Sequence, residues 1–468
     1  MTHQLPDDPN LIGALLRRYD RPGPRYTSYP TAPHFRSGFA RAQLEQHIER
    51  GNQALHPLSL YVHVPYCTSP CFYCGCNRVI TRDVSRGIAY AQRLEREIAL
   101  VAPLFERRRS VVQLHFGGGT PNFLALPTLA GVLGALDERF TLSTLPERDF
   151  SIELDPRGVP SEVRDYTDAL ARLGFNRASI GVQDFDPEVQ RAVNRIQSTT
   201  QTLALLEACR ESGFRSVNLD LIYGLPRQTL AGFQRTLRTV VEARPERLAV
   251  YGYAHLPQMF KAQRHIAAAD LPSPETRLAL LTLAIEELTA AGYHYIGMDH
   301  FALPGDELVR AQHDQRLQRN FMGYTTHAGC DLLGLGVSAI SSIGDSYSQN
   351  YRELRDWERA IDAGELALWR GLTLSRDDRI RGEVIGRLMC HGSVEYAAIE
   401  GAHGIRFGEY FARELELLRA LRNDGLVEVG SRELAVTGLG RLLVRVVAMC
   451  FDAYLPASVT QPLMSQAV

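Results

Sequence analysis

From Leu58 onward, short apolar-rich runs alternate with longer stretches whose apolar positions recur every three or four residues. The short runs predict strands over Leu58–Val64, Val111–Phe116, Phe150–Leu154, Ala178–Val182, Val217–Ile222, Leu248–Tyr253 and Tyr293–Gly297. The longer ones predict amphipathic helices over Ile88–Val101, Leu126–Arg139, Ser161–Leu173, Thr199–Ser212, Leu230–Ala243 and Glu275–Ala291. Strand and helix in this regular succession imply parallel strands joined by crossover helices, and the strand count fits an α/β chain with a partial (β/α) TIM-like barrel better than an open doubly wound sheet.

Alternation within the strands adds direction. In Leu58-Ser-Leu-Tyr-Val-His-Val64 the leucines and valines share one face, and Ser59, Tyr61 and His63 the other. Ser151, Glu153 and Asp155 form the polar face of a third strand, and Asn218 and Asp220 that of a fifth. If the apolar faces meet the outer helices, these polar faces converge on the barrel interior, near the strand ends where such folds place their sites.

The flanks read differently. Three prolines and a glycine in Arg21–Pro30 exclude regular helix, so residues 1–50 are expected to form an irregular arm lying across another surface. Residues 51–350 are expected to be the barrel. The βα rhythm stops after about residue 300, and Asp331–Ile340 reads as a glycine-rich loop or strand. Residues 351–468 read as a small, mostly helical C-terminal domain, winged-helix-like because of a turn-and-strand pair at Asn423–Glu428 and Glu433–Thr437.

Composition narrows the class. The 468 residues carry 51 Lys+Arg against 53 Asp+Glu, a balance that excludes a binder driven by neutralising nucleic-acid phosphates. Lys261 is the only lysine among the basic residues. The opening Met-Thr-His-Gln-Leu-Pro-Asp-Asp has no basic segment leading into an apolar one, and no apolar run approaches a membrane span, so a cytoplasmic protein is expected. Of eight cysteines, Cys67, Cys71, Cys74 and Cys76 fall within ten residues, a pattern of metal or redox chemistry rather than of a disulfide scaffold.

The strongest chemical signal is Cys67-Thr-Ser-Pro-Cys71-Phe-Tyr-Cys74-Gly-Cys76, directly after the first strand. Three thiolates at these spacings can each bind one iron of a cubane cluster and leave the fourth iron open. Structural zinc usually takes two separated pairs. Cys76, one residue beyond Cys74, is awkwardly placed to reach the opposite corner of the cube. A second motif, Gly117-Gly-Gly-Thr-Pro121, allows close approach of backbone to a ligand and lacks the Gly-Lys-Ser/Thr of a phosphate loop.

This pair of motifs resembles the radical S-adenosylmethionine (SAM) enzymes, whose open iron holds SAM by its amino and carboxylate groups. The resemblance extends over nearly the whole chain. Gly23–Pro30, Tyr61–Cys67, Gly181–Phe185, Asn194-Arg195, Asp220–Pro226, Tyr253–Pro257, Gly297–Phe301, Arg319–Phe321 and Trp369–Gly371 are similar to the family of oxygen-independent coproporphyrinogen III oxidases. The family pattern implies Cys67, Cys71 and Cys74 as ligands of a 4Fe-4S cluster, with Tyr61, Gly118 and Glu153 holding its SAM. It further implies a second SAM molecule at Tyr73, Gly119, Thr120, Gln183, Arg195, Asp220, Ala254 and Ile340, and an activity role for Tyr61, His63 and Phe321. Two positions depart from the family: Tyr73 stands where Phe is common and Met322 where Gln is known.

What the resemblance implies is decarboxylation of two propionates of coproporphyrinogen III to vinyl groups by a deoxyadenosyl radical. A flavodoxin or ferredoxin would serve as electron donor, an unidentified acceptor would take the final electron, and the protein would be a monomer free of nucleic acid and membrane. The alternatives are a haem-delivery chaperone of the same branch, or another radical SAM tetrapyrrole enzyme. Cys76 and the arm favour the oxidase, because the related chaperones generally carry an aromatic residue in place of the fourth cysteine and lack much of the arm.

Overall fold

Six strands run parallel and pair in sequence order: β1 (Leu58–Val64), β2 (Ser110–Gly118), β3 (Asp149–Leu154), β4 (Arg177–Gln183), β5 (Ser216–Tyr223) and β6 (Arg247–Gly252). The computed structural model describes Ala14, Leu15, Arg18, Tyr19 and residues 21–455. The crossover helices are α1 (Val84–Val101), α2 (Leu126–Arg139), α3 (Val163–Arg172), α4 (Thr199–Glu211) and α5 (Leu230–Ala243), and α6 (Pro274–Ala290) follows β6. Side-chain caps start several of them: Asp83 accepts from the Ser85 N–H, Ser198 from Gln201, Thr229 from Gly232 and Ser273 from Thr276. Leu58, Leu60, Val62 and Val64 are fully buried, which turns Ser59, Tyr61 and His63 toward the interior as alternation requires.

The edges are less regular than the βα rhythm suggests. Tyr293–Gly297 was expected to extend the barrel, and β7 (His294–Gly297) does form there. It pairs instead with β8 (His300–Ala302), which lies antiparallel between it and β6. Gly297 and Met298, at φ +149° and +50°, turn the chain back. On the opposite edge β9 (Asp331–Leu335) returns to pair in parallel with β1, so the glycine-rich run is a strand. Antiparallel strands β10 (Ile340–Ile343), β11 (Ser346–Asn350) and β12 (Leu368–Thr373) continue from it. The sheet therefore stays open, as a partial barrel with antiparallel extensions on both edges.

The main sheet runs through β12, beyond residue 351, and helix Leu354–Asp362 docks on α1, with Asp362 bridging Arg93 and Arg96. The helical unit starts at helix Arg376–His391, capped by Ser375. It contains a three-stranded sheet of Ser393–Glu395, Glu433–Val436 and Val427–Val429, with helices Tyr396–His403 and Ala412–Asn423. At the other terminus, helix Arg41–Ala54 occupies the end of the segment expected to be irregular. The proline-rich stretch before it is wedged between the two units. Arg445 donates to the Gly23 and Pro24 carbonyls, the Tyr26 hydroxyl donates to Asp452 at 2.9 Å, and Arg25 pairs with Asp299 of the β7–β8 turn.

Candidate active site

The cysteine loop leaves β1 through a two-residue strand, Tyr66–Cys67, paired with Val79–Ile80. Arg78 staples the loop from beneath, donating to the carbonyls of Cys74 (3.0 Å) and Cys71 (3.1 Å). Asn194 donates to the Pro70 carbonyl at 2.7 Å. Three of the loop's four thiols accept a hydrogen bond. Thr120 Oγ1 reaches Cys67 Sγ (3.2 Å), Arg157 and Arg195 reach Cys71 Sγ (3.4 and 3.5 Å), and the Cys76 N–H reaches Cys74 Sγ (3.4 Å). Hydrogen bonding from Cys76 pulls the Cys74 thiol down to about 6 against burial, while burial pushes Cys67 up to about 11.

Behind the loop the polar faces of β1, β2 and β3 form one network. Tyr61 Oη lies 3.0 Å from His63 Nδ1, and His63 Nε2 lies 3.0 Å from the Asn77 carbonyl. His115 stacks on Tyr61 and contacts both Ser151 Oγ (2.6 Å) and Glu153 Oε1 (3.2 Å). Glu153 also accepts the Gly118 N–H at 3.1 Å. Burial raises the Glu153 carboxyl, but the His115 contact and the Gly118 N–H outweigh it and hold the group below the usual range. Gly118 sits at φ +112°, and a Cβ there would come within 2.4 Å of the His63 ring. One at Gly119 would come within 2.7 Å of the Pro65 backbone, so the glycine run is required by close packing over β1.

A third set comes from β3, β4 and β5. Arg195 donates to the Gly181 carbonyl (2.6 Å) and to Asp155 (3.1 Å), which also takes Arg157. Asp220 accepts from Ser179 (2.9 Å) and Asn218 (2.8 Å); burial, reinforced by the Glu153 charge, pushes it up to about 7. Gln183 adopts φ +67° at a bulge between β4 and β5.

Cys67, Cys71, Tyr73, Cys74, Gly118, Gly119, Thr120, Glu153, Gln183, Arg195 and Asp220 all line one cavity of about 850 Å³, part of it open to solvent. Tyr61 and His63 do not line it; His63 packs behind Gly118 and Tyr61 lies 3.0 Å from His63. Ala254 and Ile340 do not line it. Ala254 is linked to Tyr73 through Gln263, whose amide donates to both carbonyls, and the Ile340 backbone packs against Gly334, opposite Tyr61 in the register. Phe321 lies elsewhere, packed edge-on against Phe35 of the arm and Tyr347 of β11. A second cavity of about 960 Å³ fills the barrel interior and shares Glu153, Ser179, Asp220 and Tyr251 with the first.

Residues 61–240 match the radical SAM superfamily, and residues 374–443 match the HemN C-terminal domain. The chain is 51% identical over 443 residues to the oxygen-independent coproporphyrinogen III oxidase of Pseudomonas aeruginosa, covering 95% of this chain and 96% of that protein. It is 49% identical to the Escherichia coli enzyme of the same name over 442 residues, 94% of this chain and 95% of the other. The chain belongs to the oxygen-independent coproporphyrinogen III oxidase family. The solved structure of the Escherichia coli coproporphyrinogen III oxidase, described as a radical SAM enzyme, superposes with a TM-score of 0.89 at 48% identity, over 94% of this chain and 98% of that one.

The residues present fit the cofactors that this radical SAM family implies. A 4Fe-4S cluster needs sulfurs set apart, one per iron. Cys67, Cys71 and Cys74 line one cavity, while among the described residues no three His, Cys, Asp or Glu side chains converge on a single metal ion. The buried Arg195 Nε has no hydrogen-bond partner, a donor left over for a carboxylate in that cavity. Sequence reasoning missed Arg78, Arg157, His115 and Tyr251. His115 and Tyr251 were detectable in principle, since each lies on the interior-facing parity of its strand; Arg78 lies in a loop and Arg157 in the single 3-10 turn Pro156–Gly158, both too short for periodicity to apply.

Proposed function

We propose that this coproporphyrinogen III oxidase family member converts two propionate side chains of coproporphyrinogen III to vinyl groups, giving protoporphyrinogen IX, with two SAM molecules in the site. The reading is carried by the continuity of the cysteine-lined cavity with the barrel interior through Glu153, Ser179, Asp220 and Tyr251. When bound, the cluster and SAM would supply a radical able to take one hydrogen atom from a propionate β-carbon; loss of CO2 and of one electron to an acceptor would complete the vinyl group.

The protein's own work is placement. Cys67, Cys71 and Cys74 hold the cluster. Gly118 and Glu153, locked together, would offer a backbone edge and a carboxylate to the SAM amino group, with Tyr61 contributing to the same site and His63 keeping Tyr61 in position. Arg195 suits a carboxylate, and Asp220, Gln183, Tyr73, Gly119 and Thr120 surround a second SAM, with Ala254 and Ile340 supporting its walls. Phe321 acts from the aromatic cluster at the arm. The partial barrel holds the reacting groups in fixed relative positions. A flavodoxin or ferredoxin donates electrons, and the enzyme works as a cytoplasmic monomer; among the described residues no helix is long and apolar enough to cross a membrane.

The test is anaerobic: reconstituted protein, reductant, SAM and coproporphyrinogen III, with products separated by chromatography. Protoporphyrinogen IX, CO2 and 5′-deoxyadenosine are expected. Stoichiometric haem retention without any of these products would replace the oxidase by a haem-delivery protein.

A further inference from the structure

A cluster of nitrogen donors gathers beside the barrel interior, away from the cysteine loop. Arg25 enters from the N-terminal arm, His300 from β8, and Arg319 from the short strand Gln318–Asn320. The Arg25 guanidinium lies over the Tyr251 ring at 5.7 Å and pairs with Asp299. The Arg319 guanidinium lies over Tyr324 at 4.8 Å, and its Nε donates to the Arg25 carbonyl at 3.4 Å. His300 meets Tyr251 and Tyr324 edge-on, at 6.0 and 5.2 Å. Of the three donor side chains, His300 lines the 960 Å³ interior cavity, together with Tyr251 and Tyr324, the rings on which the two guanidinium groups sit.

The charges here do not close. Among the described residues, Asp299 is the one carboxylate that the hydrogen bonds and ion pairs place against the two guanidinium groups. Arg319 Nη1 and His300 Nδ1 are both buried and have no hydrogen-bond partner. Unmade buried hydrogen bonds cost stability, so two in one cluster call for an acceptor. Burial and the Arg319 and Arg25 charges hold His300 well below the usual imidazole range, and burial with neighbouring arginines pulls Arg25 down to about 10. An anion would relieve both. The two arginines that line this cavity are already matched: Arg177 pairs with Asp149 and Glu307, and Arg247 with Asp306 and Glu307.

We propose that Arg25, Arg319 and His300 form a carboxylate subsite that anchors a propionate of the substrate other than the one reacting. The inference rests on the function proposed above and adds where the substrate is gripped. A planar guanidinium fork matches a carboxylate geometrically, and neutral His300 donates through whichever ring nitrogen faces it. Arg319 and His300 do not line the cysteine cavity, so a propionate held by them leaves another free to reach Glu153 and Asp220. A tetracarboxylate satisfies both demands at once.

The experiment is a titration of the reconstituted holoenzyme with coproporphyrin III, the stable oxidised form, and with its tetramethyl ester, alongside turnover of coproporphyrinogen III. Arg319→Gln should weaken binding of the acid by on the order of tenfold to a hundredfold, leave ester binding unchanged, and raise KM more than it lowers kcat. Arg319→Lys, which keeps the charge and most of the stem, should fall between, with cluster absorbance and SAM affinity at wild-type levels in both. Equal acid binding and equal KM in wild type, Arg319→Gln and Arg25→Gln would overturn the subsite while leaving the oxidase reading intact. Arg319-dependent binding of coproporphyrin III without any protoporphyrinogen formed would uphold the subsite and sink the oxidase reading.

Discussion

The Tyr61 hydroxyl lies 3.0 Å from His63 Nδ1, and the far nitrogen of the same ring lies 3.0 Å from the Asn77 carbonyl oxygen. A carbonyl only accepts, so Nε2 carries the proton; burial pulls the imidazole below its usual range and keeps it neutral, so Nδ1 accepts from Tyr61. The relay ties the second half of β1 to the segment that follows the cysteine loop. Tyr61→Phe removes the donor and leaves Nδ1 buried and unpaired, a loss of about 1–3 kcal/mol. Denaturant unfolding of the reconstituted protein should show a lower midpoint, with cluster absorbance retained before the transition. An unchanged midpoint would mean that the hydroxyl does not support the ring.

Gly118 is the position where backbone conformation and contact agree most tightly. Its φ of +112° disfavours any L side chain, and the added Cβ of Gly118→Ala would sit 2.4 Å from the His63 ring, at the wall of the cysteine-lined cavity. The variant should still assemble its cluster, because none of the three thiols moves. It should lose the change that SAM produces in the electron paramagnetic resonance spectrum of the reduced cluster. A wild-type response to SAM would show that the loop yields more readily than its contacts imply.

Much of this was legible before any coordinates. The β1 span and helices Leu126–Arg139 and Leu230–Ala243 agree to the residue, because alternation and helical periodicity are local signals. The interior parity of Tyr61, Glu153 and Asp220 followed from the same rule. Pairing of β9 with β1 was hidden, since residues 331–335 and 58–62 are far apart in sequence and their meeting leaves no local trace. Insertion of β8 beside β6 was equally invisible, as it depends on one tight reversal at Met298. The arginines were the hardest residues to sort. In a chain whose basic side chains are all arginine except Lys261, residue type says nothing about which ones grip a thiol, a carbonyl or a carboxylate; only the fold separates Arg78 and Arg157 from those on the surface.

Asp220 makes stability depend on pH in an unusual direction. Its carboxyl, pushed up to about 7 by burial and the Glu153 charge, keeps its proton in the folded state at pH values where the unfolded chain has lost it. Its contribution is therefore complete below the ordinary carboxyl range and lost as pH rises through about 7. Glu97, buried and pushed up to about 7, has the same sign and window. Asp220→Asn removes one of the two, so between about pH 5.5 and 8 the stability lost by the variant should be smaller than that lost by wild type, by about 2 kcal/mol. Parallel curves for the two proteins would show that Asp220 is already ionised throughout.

The cysteines divide into two classes that substitution can separate. Cys67, Cys71 and Cys74 share one cavity, and Arg157 and Arg195 both donate to Cys71 Sγ. Cys209 is fully buried among apolar side chains of α4, and burial holds its thiol up at about 12. Cys71→Ser should abolish the visible absorbance of the reconstituted cluster and reduce bound iron to background. Cys209→Ser should leave both intact and cost only packing stability. Cys76→Ser should also keep the cluster, because what ties Cys76 to Cys74 Sγ includes its backbone N–H, which the substitution preserves. Iron and absorbance measured in the three variants decide the ligand set: survival of the spectrum in Cys71→Ser, or its loss in Cys76→Ser, would require Cys76 to be a ligand in place of one of the three.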